Sequence, residues 1–140
     1  MTLSLKLDAA QVNALLRSAF PDGSDAHFPE VTEVASGRVR LVRAYHDNML
    51  RPGRLISGPN LMSLADTAAY ALILAHIGDE LMAVTSSLVM NFLRGAQPGD
   101  LHAEALMLRL GRRSAVCDVR LWTEHPDRLA AQATVTYAIP

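Results

Sequence analysis

From Ser57 to Ile77 the chain reads SGPNLMSLADTAAYALILAHI, an apolar stretch with one carboxylate, Asp66, at its middle. A helix that is apolar on nearly every side must be buried on nearly every side, so the remaining elements have to wrap it. The stretch opens Ser-Gly-Pro-Asn and carries Tyr70 and His76 as well as Asp66, which predicts a buried helix and no membrane span. The acid constrains function as the helix constrains fold. An ionised carboxylate buried without partners is costly, so such a residue either faces an opening or holds its proton more tightly. Either condition suits a general base or a nucleophile. An acid in an apolar helix also serves as a packing residue bonded to backbone, or lies at a subunit edge, and the helix alone does not separate these readings.

Composition narrows the function classes. Thirteen basic residues stand against fourteen acidic ones, giving a formal net charge of −1. Nucleic-acid binders carry a basic excess or stripe, so no nucleic-acid partner is expected. Half of the 140 residues are hydrophobic and only 5% aromatic, so the core is aliphatic and alanine-rich. The length predicts one domain over residues 1–140, with residues 1–30 as an N-terminal extension. A single cysteine, Cys117, excludes an internal disulfide and a cysteine-cluster metal site, and it fits a reducing, cytoplasmic compartment. The start MTLSLKLDAAQ has no basic region followed by an apolar run, which predicts no signal peptide.

Val12, Leu15, Leu16 and Phe20 recur at helical spacing behind Asp8, predicting a capped helix over Asp8–Phe20 and then a polar loop, Pro21–Asp25. Val34, Val39, Leu41 and Val42 predict one strand within Val31–Tyr45. Pro59 and Gly78 bracket the long helix. Everything beyond reads as strands. In Leu81–Arg94 the residues Met82, Val84, Leu88, Met90 and Phe92 alternate with Thr85, Ser87 and Asn91; Leu101–Leu110, Ser114–Glu124 and Leu129–Ile139 follow, separated by Gly- and Pro-containing turns. Four strands joined by short turns predict an antiparallel meander. Cys117 falls on an apolar face with Ala115, Val119 and Leu121, as a packing residue. The five histidines show no metal-ligand spacing, and no metal is expected.

This order, a strand, a central helix and four antiparallel strands, is that of the α+β hotdog fold, an antiparallel sheet wrapped around one long helix, here with an extra N-terminal helix. The blocks Pro52-Gly53-Arg54-Leu55-Ile56-Ser57-Gly58-Pro59, Leu64-Ala65-Asp66-Thr67-Ala68, Ala83-Val84-Thr85, Met90-Asn91-Phe92-Leu93-Arg94, Pro98-Gly99-Asp100-Leu101 and Leu110-Gly111-Arg112-Arg113-Ser114-Ala115-Val116 resemble the PaaI-type acyl-CoA thioesterases of phenylacetate degradation. The resemblance covers roughly residues 35–140.

It implies that Asp66 is the catalytic carboxylate, activating water or attacking the thioester carbonyl. It implies that backbone N–H groups at the helix start, around Gly58, Asn60 and Leu61, polarise the thioester oxygen. It places Thr85 as a hydroxyl facing the site across a dimer, although threonine is common in strands. Asn91 and Arg94 are implied contacts of the pantetheine arm or nucleotide. Arg112 and Arg113 suit the CoA phosphates, although an Arg pair in a turn also reads as solvated surface. Asn48 is the nearest counterpart of an upstream family Asn, and His46 is a further site candidate. The chain departs from the family at Ser57-Gly58-Pro59, where most members read His-Gly-Gly. Ser57 can hydrogen-bond but takes up no proton near neutral pH, and Pro59 has no N–H to give.

The expectation is a homodimeric or homotetrameric hydrolase of acyl- or aromatic-acyl-CoA, needing no cofactor beyond the CoA of its substrate and no membrane. In it Ser57, Gly58 and Asp66 come from one helix, with Thr85 and the arginines supplied by the partner. A non-catalytic acyl-CoA-binding protein is the alternative that the Ser57-Gly58-Pro59 departure favours. A hotdog hydratase would call for a His at the helix start, where this chain has none.

Overall fold

The helix α2, Gly58–Ile77, is the axis of the fold. A computed structural model describes residues 3–20 and 28–140, so the predicted loop Pro21–Asp25 lies outside the described residues. Leu64, Ala65, Ala68, Ala69, Leu72 and Ile73 of α2 are all completely buried. By length and composition α2 could cross a bilayer, but it is buried within this chain as its core helix. Pro59 occupies its first turn, where a missing N–H costs nothing. Gly78 ends it with φ +89° and donates its N–H to the Leu74 carbonyl at 2.8 Å.

The predicted first helix is α1, Ala9–Ala19. Asp8 Oδ1 accepts the Gln11 N–H at 2.8 Å and Gln11 Oε1 accepts the Asp8 N–H at 2.9 Å, a reciprocal cap. Val12 and Leu16 are buried beneath it, so α1 is held by its apolar face as well as its cap.

The sheet is antiparallel and runs in the order β1-β2-β6-β7-β8-β5. Its strands are β1 Glu30–Ala35, β2 Arg38–Arg43, β5 Val84–Phe92, β6 Leu101–Leu110, β7 Ser114–Trp122 and β8 Ala131–Ala138; β3 Leu50–Arg51 and β4 Leu55–Ile56 form a small separate ladder before α2. α2 packs across β6, β7 and β8. The inner face there is built from small residues, with Ala103, Ala105, Ala115, Ala131 and Ala133 all at zero exposure. Short side chains let the sheet curve closely round an alanine-rich helix, and the low aromatic content follows from that. Burial pushes the Cys117 thiol up to about 12, so it is a packing residue rather than a nucleophile.

Three expectations are corrected. The single strand predicted over Val31–Tyr45 is the β1–β2 hairpin, turning at Gly37 with φ +74°. The four later strands are not a simple meander: β5 pairs with β8, while β6 lies beside β2. Residues 93–100 therefore carry the chain from one edge of the sheet to its far half, because Gly and Pro encode that the chain bends and not which strand it reaches. The third correction concerns alternation in β5. Its pairing with β8 shifts between Thr85 and Ser87, so Ser86 is an extra, bulged residue.

Candidate active site

That bulge decides where Thr85 points. Leu88 and Met90 pair with Val135 and Ala133 on the inner face, and strict alternation back from Leu88 would turn Thr85 outward. With Ser86 taken out of the ladder, Thr85 pairs instead with Tyr137, an inward residue of β8. Thr85 Oγ1 then donates to Asp66 Oδ1 at 2.6 Å. The Tyr137 hydroxyl donates to the same Oδ1 at 2.7 Å and also lies 3.2 Å from the Asp66 backbone carbonyl. Asp66 is half-buried, and its Oδ2 accepts no hydrogen bond from any described residue. Thr85 reaches Asp66 within one chain, which corrects the expectation that the partner supplies it.

The cluster opens into a cleft of about 560 Å³ whose walls include Phe20, Tyr70, Leu81, Met82, Val84 and Tyr137. Tyr70 stacks on Tyr137 with ring centroids 5.7 Å apart, and Phe20 meets Tyr70 edge-on at 6.2 Å. The Tyr70 hydroxyl donates to the Leu81 carbonyl at 2.8 Å, which fixes its ring. Burial is the main cause that pushes the Tyr137 hydroxyl well above its ordinary value, with the nearby Thr85 hydroxyl opposing it and the Asp66 charge adding to it. Tyr137 is therefore a neutral donor at any physiological pH. Tyr70 is raised as well, mainly by burial.

The start of α2 lies apart from this cluster. Gly58 and Asp66 are eight residues apart on one helix, about 12 Å at its ordinary rise. The Asn60 and Leu61 N–H groups both donate to the Ser57 carbonyl, at 3.1 and 3.3 Å, so they are engaged within the first turn. The Ser57 hydroxyl accepts the Asn60 side-chain N–H at 2.7 Å. The Gly58 N–H has no acceptor among the described residues and borders a second cleft, of about 490 Å³, with Arg51, Leu55, Phe92 and Arg94. A side chain at Gly58 would begin 3.4 Å from the Phe92 ring, an ordinary van der Waals contact, so Gly58 and Phe92 lie side by side at this cleft.

The remaining candidates are dispersed. Asn48 sits exposed in a short turn, Asp47–Met49, its N–H donating to His46 Nδ1 at 3.1 Å. Asn91 is on the outer face of β5, bonded to Gln132 at 3.0 Å. Arg94 follows the Phe92 end of β5, beside Gly58. Arg112 and Arg113 are exposed in the β6–β7 turn, level with the Thr85 end of the sheet, since Ser114 and Val84 both pair with Ala138. The two groups of arginines lie about 25 Å apart along the strand direction.

Sequence reasoning placed Tyr137 only within the predicted strand Leu129–Ile139 and passed over Tyr70 and Phe20 as site residues. The available signal was chemical. A tyrosine on a buried face has a hydroxyl that needs a partner, and Asp66 was the one acid in the core helix.

Comparison with known proteins bears on the family and the fold. The profile described as the thioesterase superfamily matches residues 53–137. None of the curated proteins compared matches the chain. Among solved structures, a Silicibacter sp. TM1040 protein provisionally named a thioesterase is 35% identical, with a TM-score of 0.89 over 99% of this chain and 95% of that one. The phenylacetic acid degradation protein PaaI of Thermus thermophilus, solved as a point mutant, is 25% identical, with a TM-score of 0.71 over 83% of this chain and 96% of that one. A thioesterase of Pseudomonas aeruginosa shares the fold at 22% identity and a TM-score of 0.81, over 98% of this chain and 96% of that one. The profile match spans more than half of the chain, and the chain belongs to the thioesterase superfamily, with the hotdog fold.

Proposed function

We propose that the protein hydrolyses acyl-CoA thioesters, with Asp66 as general base or nucleophile. The observation that carries this reading is a half-buried carboxylate at an apolar cleft, with one oxygen, Oδ2, unengaged among the described residues. As a base, Oδ2 takes a proton from water while the water oxygen bonds to the carbonyl carbon; the C–S bond then breaks and the thiolate takes the proton back. As a nucleophile, the carboxylate bonds to the carbonyl carbon, the thiolate leaves, and water hydrolyses the resulting anhydride. Both routes release CoA thiol and a carboxylic acid.

The thioester oxygen needs a donor within about 3 Å. The Gly58 amide fits that role, but within one protomer it is too far from Asp66 for both to engage one carbonyl. A second copy resolves this. β5 is an edge strand with Val84, Val89 and Phe92 more than half exposed, a surface suited to pairing with its own copy. The site is then shared, with Asp66 and Thr85 from one protomer facing Gly58 of the other. This reading implies a homodimer at least, with a tetramer formed by pairing dimers. In it Arg112 and Arg113 at the Thr85 end, and Arg94 at the Gly58 end, offer donors to the phosphates and pantetheine of CoA. Ser57 and Asn60 brace the helix start, the Ser57 hydroxyl accepting the Asn60 side-chain N–H.

A binding-only protein is the second reading, favoured because Ser57, where most of the family has His, takes up no proton near neutral pH and Pro59 offers no N–H. Thiol release from short, medium-chain and aromatic acyl-CoAs separates the two. Turnover that collapses in a folded Asp66→Ala variant supports the hydrolase. Stabilisation by CoA esters with no turnover in either protein supports the binder.

A further inference from the structure

We infer that Tyr137 is a positioning residue for the reaction: with Thr85 it clamps Asp66 Oδ1, so that Oδ2 is the single working oxygen of the carboxylate. This deepens the hydrolase reading above and rests on it. A free aspartate has two equivalent oxygens and rotates about its terminal torsion, which is broad. Here two hydroxyl donors from two different strands, at 2.6 and 2.7 Å, converge on one of them. A rotation that carried Oδ1 away would break both bonds together. The Tyr137 hydroxyl also approaches the Asp66 backbone carbonyl at 3.2 Å, so it references the side chain to the helix that bears it.

Tyr137 suits this task better than a second small hydroxyl would. It is 4% exposed and its ring is stacked on Tyr70, so the donor does not wander. Thr85 is exposed on an edge strand, and its aim depends on the Ser86 bulge. One donor is fixed by the core and the other by the strand edge. Together they point Oδ2 toward the cleft, where it donates its electron pair to a water proton or to the carbonyl carbon. Fixing a reacting oxygen in this way is worth about one to two orders of magnitude in rate.

Steady-state kinetics of Tyr137→Phe, Thr85→Val, Thr85→Ser and Asp66→Asn test the inference, each checked by thermal melting. Tyr137→Phe removes one oxygen and is expected to lower kcat about tenfold or more, with KM within about twofold. Thr85→Val is expected to lower kcat with the same signature, and Thr85→Ser to recover most of that loss. A folded Tyr137→Phe protein with wild-type kcat, or with its whole defect in KM, overturns the inference. Should Tyr137→Phe fail to fold, the Thr85 pair decides: equal kcat for Val and Ser removes the clamp. The Asp66→Asn control separates the levels. If it keeps wild-type turnover, the reading of Asp66 fails and the clamp with it. If it collapses while Tyr137→Phe does not, the clamp alone is wrong.

Discussion

The His76 imidazole ties the far end of α2 to the β1–β2 turn, its Nε2 accepting the Gly37 N–H at 3.0 Å. With Nε2 as acceptor the ring proton is on Nδ1, which lies 2.9 Å from the Leu72 carbonyl and donates to it. His76 is 4% exposed, so its bond to Leu72 is buried and its bond to Gly37 part-buried. It is thus a satisfied core histidine, in keeping with its place in the apolar run.

Replacing it should therefore cost stability and little else. His76→Leu leaves the Gly37 N–H without its acceptor, and denaturant unfolding should show a loss of about 1–3 kcal/mol. Acyl-CoA turnover per folded molecule should stay near wild type, since neither residue borders the Asp66 cleft.

Alkaline stability should report two of the groups that burial keeps neutral. Cys117 rises from 9.0 to about 12 in the fold, and Tyr137 is raised above an unfolded value of about 10. Below the unfolded values both contributions are fully present. As pH rises the unfolded chain loses these protons first, so stability falls from about pH 9 upward. Urea midpoints measured between about pH 8 and about pH 11 should decline for the wild type. The decline should be shallower in Cys117→Ala and in Tyr137→Phe, whatever the absolute stability of each. Parallel curves in all three proteins would show that these groups do not drive it.

Phe20 should influence which acyl groups are accepted. Its ring meets Tyr70 edge-on and forms part of the cleft wall, yet it is 40% exposed, so its removal leaves the core intact. Phe20→Ala is expected to lower kcat/KM for aromatic acyl-CoAs about three- to tenfold, roughly the 1 kcal/mol of an aromatic contact. Short acyl-CoAs should be hydrolysed nearly as before. An equal loss across the substrate panel would contradict this assignment.

Val89, 60% exposed on the edge strand, should be a point at which assembly can be broken. A lysine there is a usual guard against edge pairing. Val89→Lys is expected to sediment as a monomer and to lose at least about tenfold in kcat while melting cooperatively. A folded monomer with full activity would remove the shared site.

The sequence made the central helix, its single acid, the capped first helix and the hotdog order of elements legible, because each rests on a strong local signal. A short run of apolar pattern suffices to see a helix face, and Asp8 ahead of that run suffices for a cap. The Ser86 bulge was not legible. A period of two carries no mark of one residue dropping out of the ladder, and that residue determines whether Thr85 faces Asp66 or solvent. The passage of residues 93–100 across the fold was hidden for a similar reason, since turn residues give a bend without a destination. Tyr137 was visible only as one more position of the last predicted strand. Its importance depends on what stands opposite it, and only the folded sheet supplies that neighbour.

The edge strand β5 holds Thr85 near one end and Phe92 at the other, so on the shared-site reading it is at once wall, tool mount and seam. Residues there carry two tasks, and a change that suits one is felt by the other. Phe20 answers to neither. It comes from the end of the N-terminal helix, outside the segment 53–137 that identifies the superfamily. On that reading, a substitution in this N-terminal helix changes which acyl groups the cleft admits while the seam between protomers is left untouched.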